Sequence, residues 1–320
     1  MALKKMTIAE LAKGMFEPNG MHMKRLELLG KHFCSKSIQQ KHHYLDLIVK
    51  EFGSFDLCKL PETKIISYLF EEKTNMSSSW KNRYLEVFKQ LYDEYMWRTG
   101  LKISKPSFPR FANSSRKADV FSTSELNSFF KRNLWNDDGE FLMFYVLANC
   151  GLRLGEARAL KVQQFDFDKN IVIIDGFIRY DGSRTTFNKC GNKMNSKIRV
   201  VLLSKKCSAL IKSYIRTQDL KKGDYLFTRN KIPFRHEFSE HLFKRQLLKS
   251  GIKINGRKLT PHSLRYTYVT RMRRFVDAET VRKLVGHSSQ MMTDYYTRPL
   301  VDDMCVGIMS AHNACEQLFN

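Results

Sequence analysis

Acidic side chains are scarce in this chain: 32 Asp and Glu stand against 55 Lys and Arg in 320 residues, leaving a formal charge of +23 and a pI near 9.7. That imbalance calls for a polyanionic partner. Long apolar runs are missing as well. The longest, Phe141 to Ala148, reads as a core helix and falls far short of the roughly 20 residues a spanning helix needs. No apolar leader opens the sequence, so a membrane role is not expected. The seven cysteines (Cys34, Cys58, Cys150, Cys190, Cys207, Cys305, Cys315) are odd in number and never spaced as Cys-x-x-Cys. Neither a disulfide framework nor a zinc site is indicated, and a reducing cytoplasm is expected. Internal repeats, a Gly-rich phosphate loop, low-complexity tracts and RNA-binding signatures are absent too.

What is present gathers toward the C-terminus. Thr260 to Arg265 reads Thr-Pro-His-Ser-Leu-Arg, a Gly286-His287 step follows, and Tyr296 stands nine residues beyond that histidine. Upstream, Gly151 to Arg153 reads Gly-Leu-Arg. Two arginines, two histidines and a tyrosine are the groups needed to attack a phosphodiester. A phosphodiester moving toward a pentavalent phosphorane gains negative charge on its non-bridging oxygens, which Arg153 and Arg265 can each meet with forked donors. The hydroxyl of Tyr296 can attack phosphorus covalently and keep the bond energy in the intermediate. His262 and His287 can move protons or hold the phosphate near neutral pH. No metal or other cofactor is needed by this set. Singly, each residue has a plainer reading: a surface arginine, a histidine acting as a cap, tyrosines of a core and its rim. Their joint order and spacing carry the functional one.

Local signals place these groups. Thr260 is a helix N-cap and Pro261 suits the first helical position. His262 and Arg265, three apart, share a face near the helix N-terminus, where phosphate is favoured. Asp277 to Val285 reads as a helix with Asp277 as cap, Val281, Leu284 and Val285 as its apolar side and Gly286 as its stop. His287 then sits at a fixed corner. Ser288 and Ser289 can cap a further helix bearing Tyr295 and Tyr296, which point about 100° apart, so only one can be the nucleophile.

These residues resemble the tyrosine recombinase (phage integrase) family, whose pattern is an Arg, a Lys on a β-hairpin, His-x-x-Arg, a Gly-His and a Tyr nine residues later. The resemblance implies that Tyr296 is the nucleophile and Tyr295 its packing neighbour. It also implies that Glu156, three after Arg153, supports that arginine. The hairpin lysine can be Lys189, Lys193 or Lys197. Counting back from Arg199 to Leu203, where the family commonly reads Arg-Thr-Val-Pro-Leu, selects Lys193, although Leu202 replaces the proline and the stretch around Gly182 to Cys190 resembles an insertion. The implied reaction is site-specific strand exchange on double-stranded DNA through a 3′-phosphotyrosyl link, without metal or ATP. In it Lys193 protonates the leaving 5′-oxygen, His262 transfers a proton at the tyrosine, and His287 orients the phosphate. Four protomers work together, accessory DNA-bending proteins can give direction, and residues 297–320 dock in cis or in trans. The setting implied is a bacterial nucleoid or a mobile element. Two rivals use the same surface: a type IB topoisomerase-like nicking-closing enzyme and a non-catalytic DNA-binding regulator.

The expected fold is mainly α with a small antiparallel β-sheet (α+β). Residues 1–30 are expected as a lead-in, 31–103 as a helical core-DNA-binding domain, 104–119 as a linker rich in Pro, Ser and basic residues, and 120–320 as the catalytic domain with its tail. Helical periodicity marks 35–52, 61–72, 77–98, 122–131, 138–149, 205–219 and 236–250. Strands are expected at 171–175 and 197–203. The connecting segment together with the start of the second strand holds Arg179, Arg184, Lys189, Lys193, Lys197 and Arg199 against Asp181, as suits a hairpin lying along a DNA groove.

Overall fold

The computed structural model describes residues 5–31, 33, 35–112, 119–187 and 198–286. The chain divides into two compact units, Met1–Ser115 and Arg116–Asn320. Helices dominate both, and the described strands form three small antiparallel sheets, all in the second unit. Among the described residues no helix is long and apolar enough to cross a membrane.

The first unit holds α1 (Ile8–Ala12), α2 (Met21–Leu28), α3 (Ser35–Phe52), α4 (Glu62–Glu71) and α5 (Ser78–Thr99). Helix α5 starts where the Ser77 hydroxyl accepts from Trp80 N and stops at Gly100, whose φ of +71° suits a residue without Cβ. Its buried Tyr84, Phe88, Leu91 and Tyr95 recur at helical spacing and meet Ile48 and Phe52 of α3 and Ile65 and Leu69 of α4 in one core. The lead-in drawn at residues 1–30 is part of that core over its described length. Ile8, Leu11, Phe16 and Met23 are buried in it, and Ile8 N and Ala9 N each donate at 3.0 Å to carbonyls of the turn after α3. A buried charge network adds a second tie. Glu94 of α5 accepts from His22 and Arg25 of α2 and from Arg98 of α5, at 2.7, 2.8 and 2.8 Å. Arg98 also donates to Glu10 O and Lys13 O at the end of α1. Burial pushes the Glu94 carboxyl up, but hydrogen bonds from His22 and Arg98 and the Arg25 charge outweigh it and hold the carboxyl at about 2. Helices of five and eight residues show too few apolar repeats to be read by period. Residues 104–112 of the expected linker have no helix or strand and pack on this unit. Phe108 is buried, and Asn82 exchanges hydrogen bonds of 2.8 and 2.9 Å with the Phe111 backbone.

The second unit is built on α7 (Asp138–Cys150), which is preceded by α6 (Thr123–Phe129) and followed by α8 (Leu154–Arg158). Helix α7 is apolar nearly all round, so it is wrapped on several sides, by α8, α9 (Lys205–Thr217) and α11 (Pro261–Met272) among others. A sheet of order β1-β2-β5 uses Phe165–Asp166, Ile171–Ile174 and Arg199–Leu202, with Ile174 opposite Arg199 and Ile171 opposite Leu202. The segment expected as a basic hairpin between the two strands carries a short hairpin of its own, β3 (Gly176–Ile178) with β4 (Arg184–Thr186). Arg184 of β4 pairs with Asp175, just after β2, at 2.7 Å. A short ribbon, β6 (Thr228–Arg229) with β7 (Ile232–Pro233), leads into α10 (His236–Lys249), and α12 (Ala278–Val285) closes the described part.

Candidate active site

The turn from α7 into α8 places the first arginine. Gly151 ends α7 with φ of +60°, and a Cβ there would come 2.3 Å from the Tyr268 ring, so both the backbone conformation and the close approach require glycine. Leu152 and Leu154 are buried in the core and pin the turn on both sides of Arg153. Arg153 is the N-cap residue of α8, its own N–H donating at 2.8 Å to the Glu156 carboxylate. The second arginine rides on α11, whose N-cap is Thr260 and whose first residue is Pro261, with Leu264 and Val269 packed inward.

Glu156, 1% exposed, draws three guanidiniums together. Arg153 Nη1 donates to its Oε1 at 2.9 Å. Arg199, the first residue of β5, forks both oxygens at 3.2 and 2.6 Å. Arg265 Nη1 stands 3.9 Å away as an ion pair. Burial alone would raise the Glu156 carboxyl, yet the charge and hydrogen bonds of Arg199, then the Arg265 and Arg153 charges, hold it at about 2. Three cations and one carboxylate leave two net positive charges. A phosphorane formed by a tyrosinate on a phosphodiester carries two negative ones, so the charges match. The two expected phosphate arginines differ in access: the Arg153 side chain is 33% exposed and that of Arg265 is 2% exposed. Arg265 donates to Gly151 O and Val285 O, both at 2.7 Å.

His262 occupies the rim of this cluster at the start of α11, three residues before Arg265, with its ring 6.1 Å from that of Tyr266 in a stacked arrangement. The residue is exposed. Partial loss of hydration, then repulsion from Arg265 and Arg153, lowers its pKa from the ordinary value. The neutral imidazole is therefore favoured, the form able to take a proton. Arg153, Glu156, His262 and Arg265 thus come to one place. Lys193, His287 and Tyr296 lie outside the described residues.

Sequence reading gave Arg199 to a DNA-facing hairpin, whereas the structure buries it on Glu156. The signal was strand parity: Arg199 and Val201 share the buried face of β5, and Val200 and Leu202 face out. A charge on an inward strand position needs a buried counter-charge.

Comparison with known proteins points the same way. The phage integrase family model matches residues 128–302. A curated tyrosine recombinase of Pseudothermotoga lettingae is 25% identical over 255 residues, 78% of this chain and 81% of its own length. Tyrosine recombinase XerA of Thermococcus onnurineus is 28% identical over 164 residues, 51% of this chain and 52% of its own. Among solved structures, the Tn1549 transposon integrase in complex with transposon right end DNA superimposes with a TM-score of 0.72 at 16% identity, covering 96% of this chain and 100% of that one. A lambda integrase tetramer bound to a Holliday junction gives 0.66 at 12% identity, covering 92% and 78%. At such identities the solved structures speak for a shared fold. The family match takes in every site residue named above, from Arg153 to Tyr296, and spans more than half of the 320 residues: the chain belongs to the phage integrase family.

Proposed function

We propose that this protein is a site-specific DNA recombinase that cuts and rejoins strands through a 3′-phosphotyrosyl intermediate, without metal or ATP. The observation that carries the reading is the convergence of Arg153, Arg199 and Arg265 on Glu156 beside a His262 of lowered pKa. In the first step the Tyr296 hydroxyl oxygen bonds to phosphorus and the bond from phosphorus to the 5′-oxygen breaks. His262 takes the tyrosine proton, and Lys193 gives one to the leaving oxygen. Arg153 and Arg265 supply positive charge as the phosphorane forms, and His287 orients the phosphate. The 5′-hydroxyl of a partner strand then attacks the phosphotyrosine and reverses the sequence. One phosphodiester is lost and one gained, so no external energy source is required. The charge of +23 supports a double-stranded DNA partner. The lambda integrase tetramer on a Holliday junction, with the Tn1549 integrase on transposon right end DNA, supports a DNA-bound tetramer as the working assembly. The helical first unit is then a second DNA-holding body, and accessory DNA-bending proteins supply direction.

The test is a suicide duplex nicked beside a candidate crossover site, incubated with purified protein and scored for an SDS-stable, protease-sensitive adduct. Wild type forms the adduct and Tyr296→Phe does not. An adduct that survives in Tyr296→Phe and vanishes in Tyr295→Phe would move the nucleophile by one residue. Tight binding with no adduct on any substrate would replace the enzyme by a DNA-binding regulator, and adducts on duplexes of any sequence would favour a nicking-closing enzyme.

The pH dependence follows from His262. A lowered pKa keeps the imidazole neutral to more acid pH, so the adduct-forming rate falls only as pH drops through a midpoint below about 6.5, the ordinary histidine value. A rate profile from pH 5 to 8 checks this: His262→Gln should lower the plateau and remove that limb. An unchanged limb in the variant would assign it to another group.

A further inference from the structure

Helix α12 ends at carbonyls that have no partner within the helix, as every α-helix does. Here each of the last three meets a different guanidinium. Arg199 Nε donates to Leu284 O at 2.9 Å, Arg265 Nη2 to Val285 O at 2.7 Å and Arg153 Nη2 to Gly286 O at 3.0 Å. Positive charge at a helix C-terminus is also favoured by the dipole. The three donors come from α11, the start of α8 and the start of β5, and one carboxylate, Glu156, holds them in register.

We propose that Arg199 is a positioning residue for strand cleavage: it fixes the carbonyl end of α12, and with it the point at which the chain enters His287, while its charge answers that of Glu156. The proposal rests on the recombinase reading above. Arg199 differs from Arg153, whose side chain is 33% exposed, in being spent entirely on protein. Its side chain is 7% exposed, both η nitrogens face Glu156 and Nε faces Leu284 O. With Arg199 neutralising Glu156, Arg153 and Arg265 keep their charge for a phosphate. Without it, the carboxylate would take that compensation from one of them. Gly286 packs against the same guanidinium, since a Cβ there would stand 3.2 Å from Arg199 Nη1, and its φ of +67° already favours glycine. Arg199 also begins the strand that follows Lys193 by six residues, and His287 is next after Gly286. The two segments carrying the expected proton donor and phosphate ligand thus leave from one arginine.

Arg199→Lys separates position from charge, because one ammonium preserves the charge balance but cannot fork Glu156 and reach Leu284 O together. In the full-length protein it should slow adduct formation on the suicide duplex by about 100-fold, the scale of a small misplacement of reacting groups. Duplex affinity and its salt dependence should hold, since the charge count is the same. In a His287→Ala background the same change should cost only a few-fold, because the group being positioned is gone. Hydrogen exchange of the amides at residues 283–286 should speed up in Arg199→Lys whether or not the protein cleaves DNA. A wild-type rate in Arg199→Lys, or an equal loss with and without His287, would overturn the proposal, as would unchanged exchange at the end of α12. A wild type that forms no adduct would instead overturn the recombinase reading, and the exchange measurement would still judge Arg199.

Discussion

A Glu156→Gln protein is expected to lose about 3–5 kcal/mol of stability in its second unit, the cost of removing one partner from a buried ionic cluster. The amide keeps the shape of the carboxylate and removes its charge. Arg199, 8% exposed, and Arg265, 2% exposed, would then face each other and Arg153 with no counter-ion, and the amide NH2 group would meet a guanidinium donor where an acceptor stood. The pH dependence separates charge from shape. The Glu156 carboxyl is held at about 2 in the folded protein and titrates near 4.3 when unfolded. Its stabilisation is complete above the unfolded value and is lost as pH falls through the folded one. The gap between wild type and variant should therefore close between about pH 4 and pH 2. Urea unfolding followed by Trp135 fluorescence, with Trp80 and Trp97 of the first unit replaced by Phe, reads the second unit alone. A loss under about 1 kcal/mol, as for an exposed ion pair, or a gap that persists at acid pH, would contradict the buried cluster.

The long helices were legible because their signals are local. Ser77, Ser122, Asp137 and Ser204 each accept from a backbone N–H two or three residues into the helix they start, and apolar spacing sets the length. Ser35–Phe52 and His236–Lys249 begin at the residues expected. Helices α1 and α2 were not legible because their place depends on distant partners: α1 is held by the turn after α3 and by Arg98, far along the chain. A hairpin was expected from the basic segment after Asp175, but its strands of three residues each are too short to be bounded by alternation. At the site, Arg153, His262 and Arg265 could be named in advance because each stands in a short motif of fixed spacing. Arg199 opens the stretch from which Lys193 is counted, but that spacing says nothing of what its own side chain does. Its role comes from a strand register and a carboxylate 43 residues upstream, neither of which local spacing encodes. Gly151 belongs to the Gly-Leu-Arg run seen in the sequence, but the nearness of Tyr268 and the bond from Arg265 to its carbonyl needed coordinates.

Arg265→Lys should cut the rate of covalent adduct formation by about 100- to 1,000-fold, the range for losing one preorganised donor at a site of developing charge. The loss has two parts. In the proposed mechanism Arg265 supplies positive charge to the phosphorane, and a lysine keeps that charge. It also bridges Gly151 O and Val285 O with two nitrogens of one rigid plane, which an ammonium cannot do. Gly151 opens the turn carrying Arg153, and Val285 is two residues before His287. Losing the bridge therefore loosens groups on both sides of the phosphate while charge is conserved. Single-turnover cleavage of the suicide duplex measures the rate, and duplex affinity across a salt series measures the charge, which should keep its slope. Arg265→Ala removes both parts and should be slower than Arg265→Lys. Equal rates for the two variants would show that geometry carries the whole effect. A lysine variant as fast as wild type would leave charge alone responsible, and the bridge between Gly151 and Val285 would then serve folding and not catalysis.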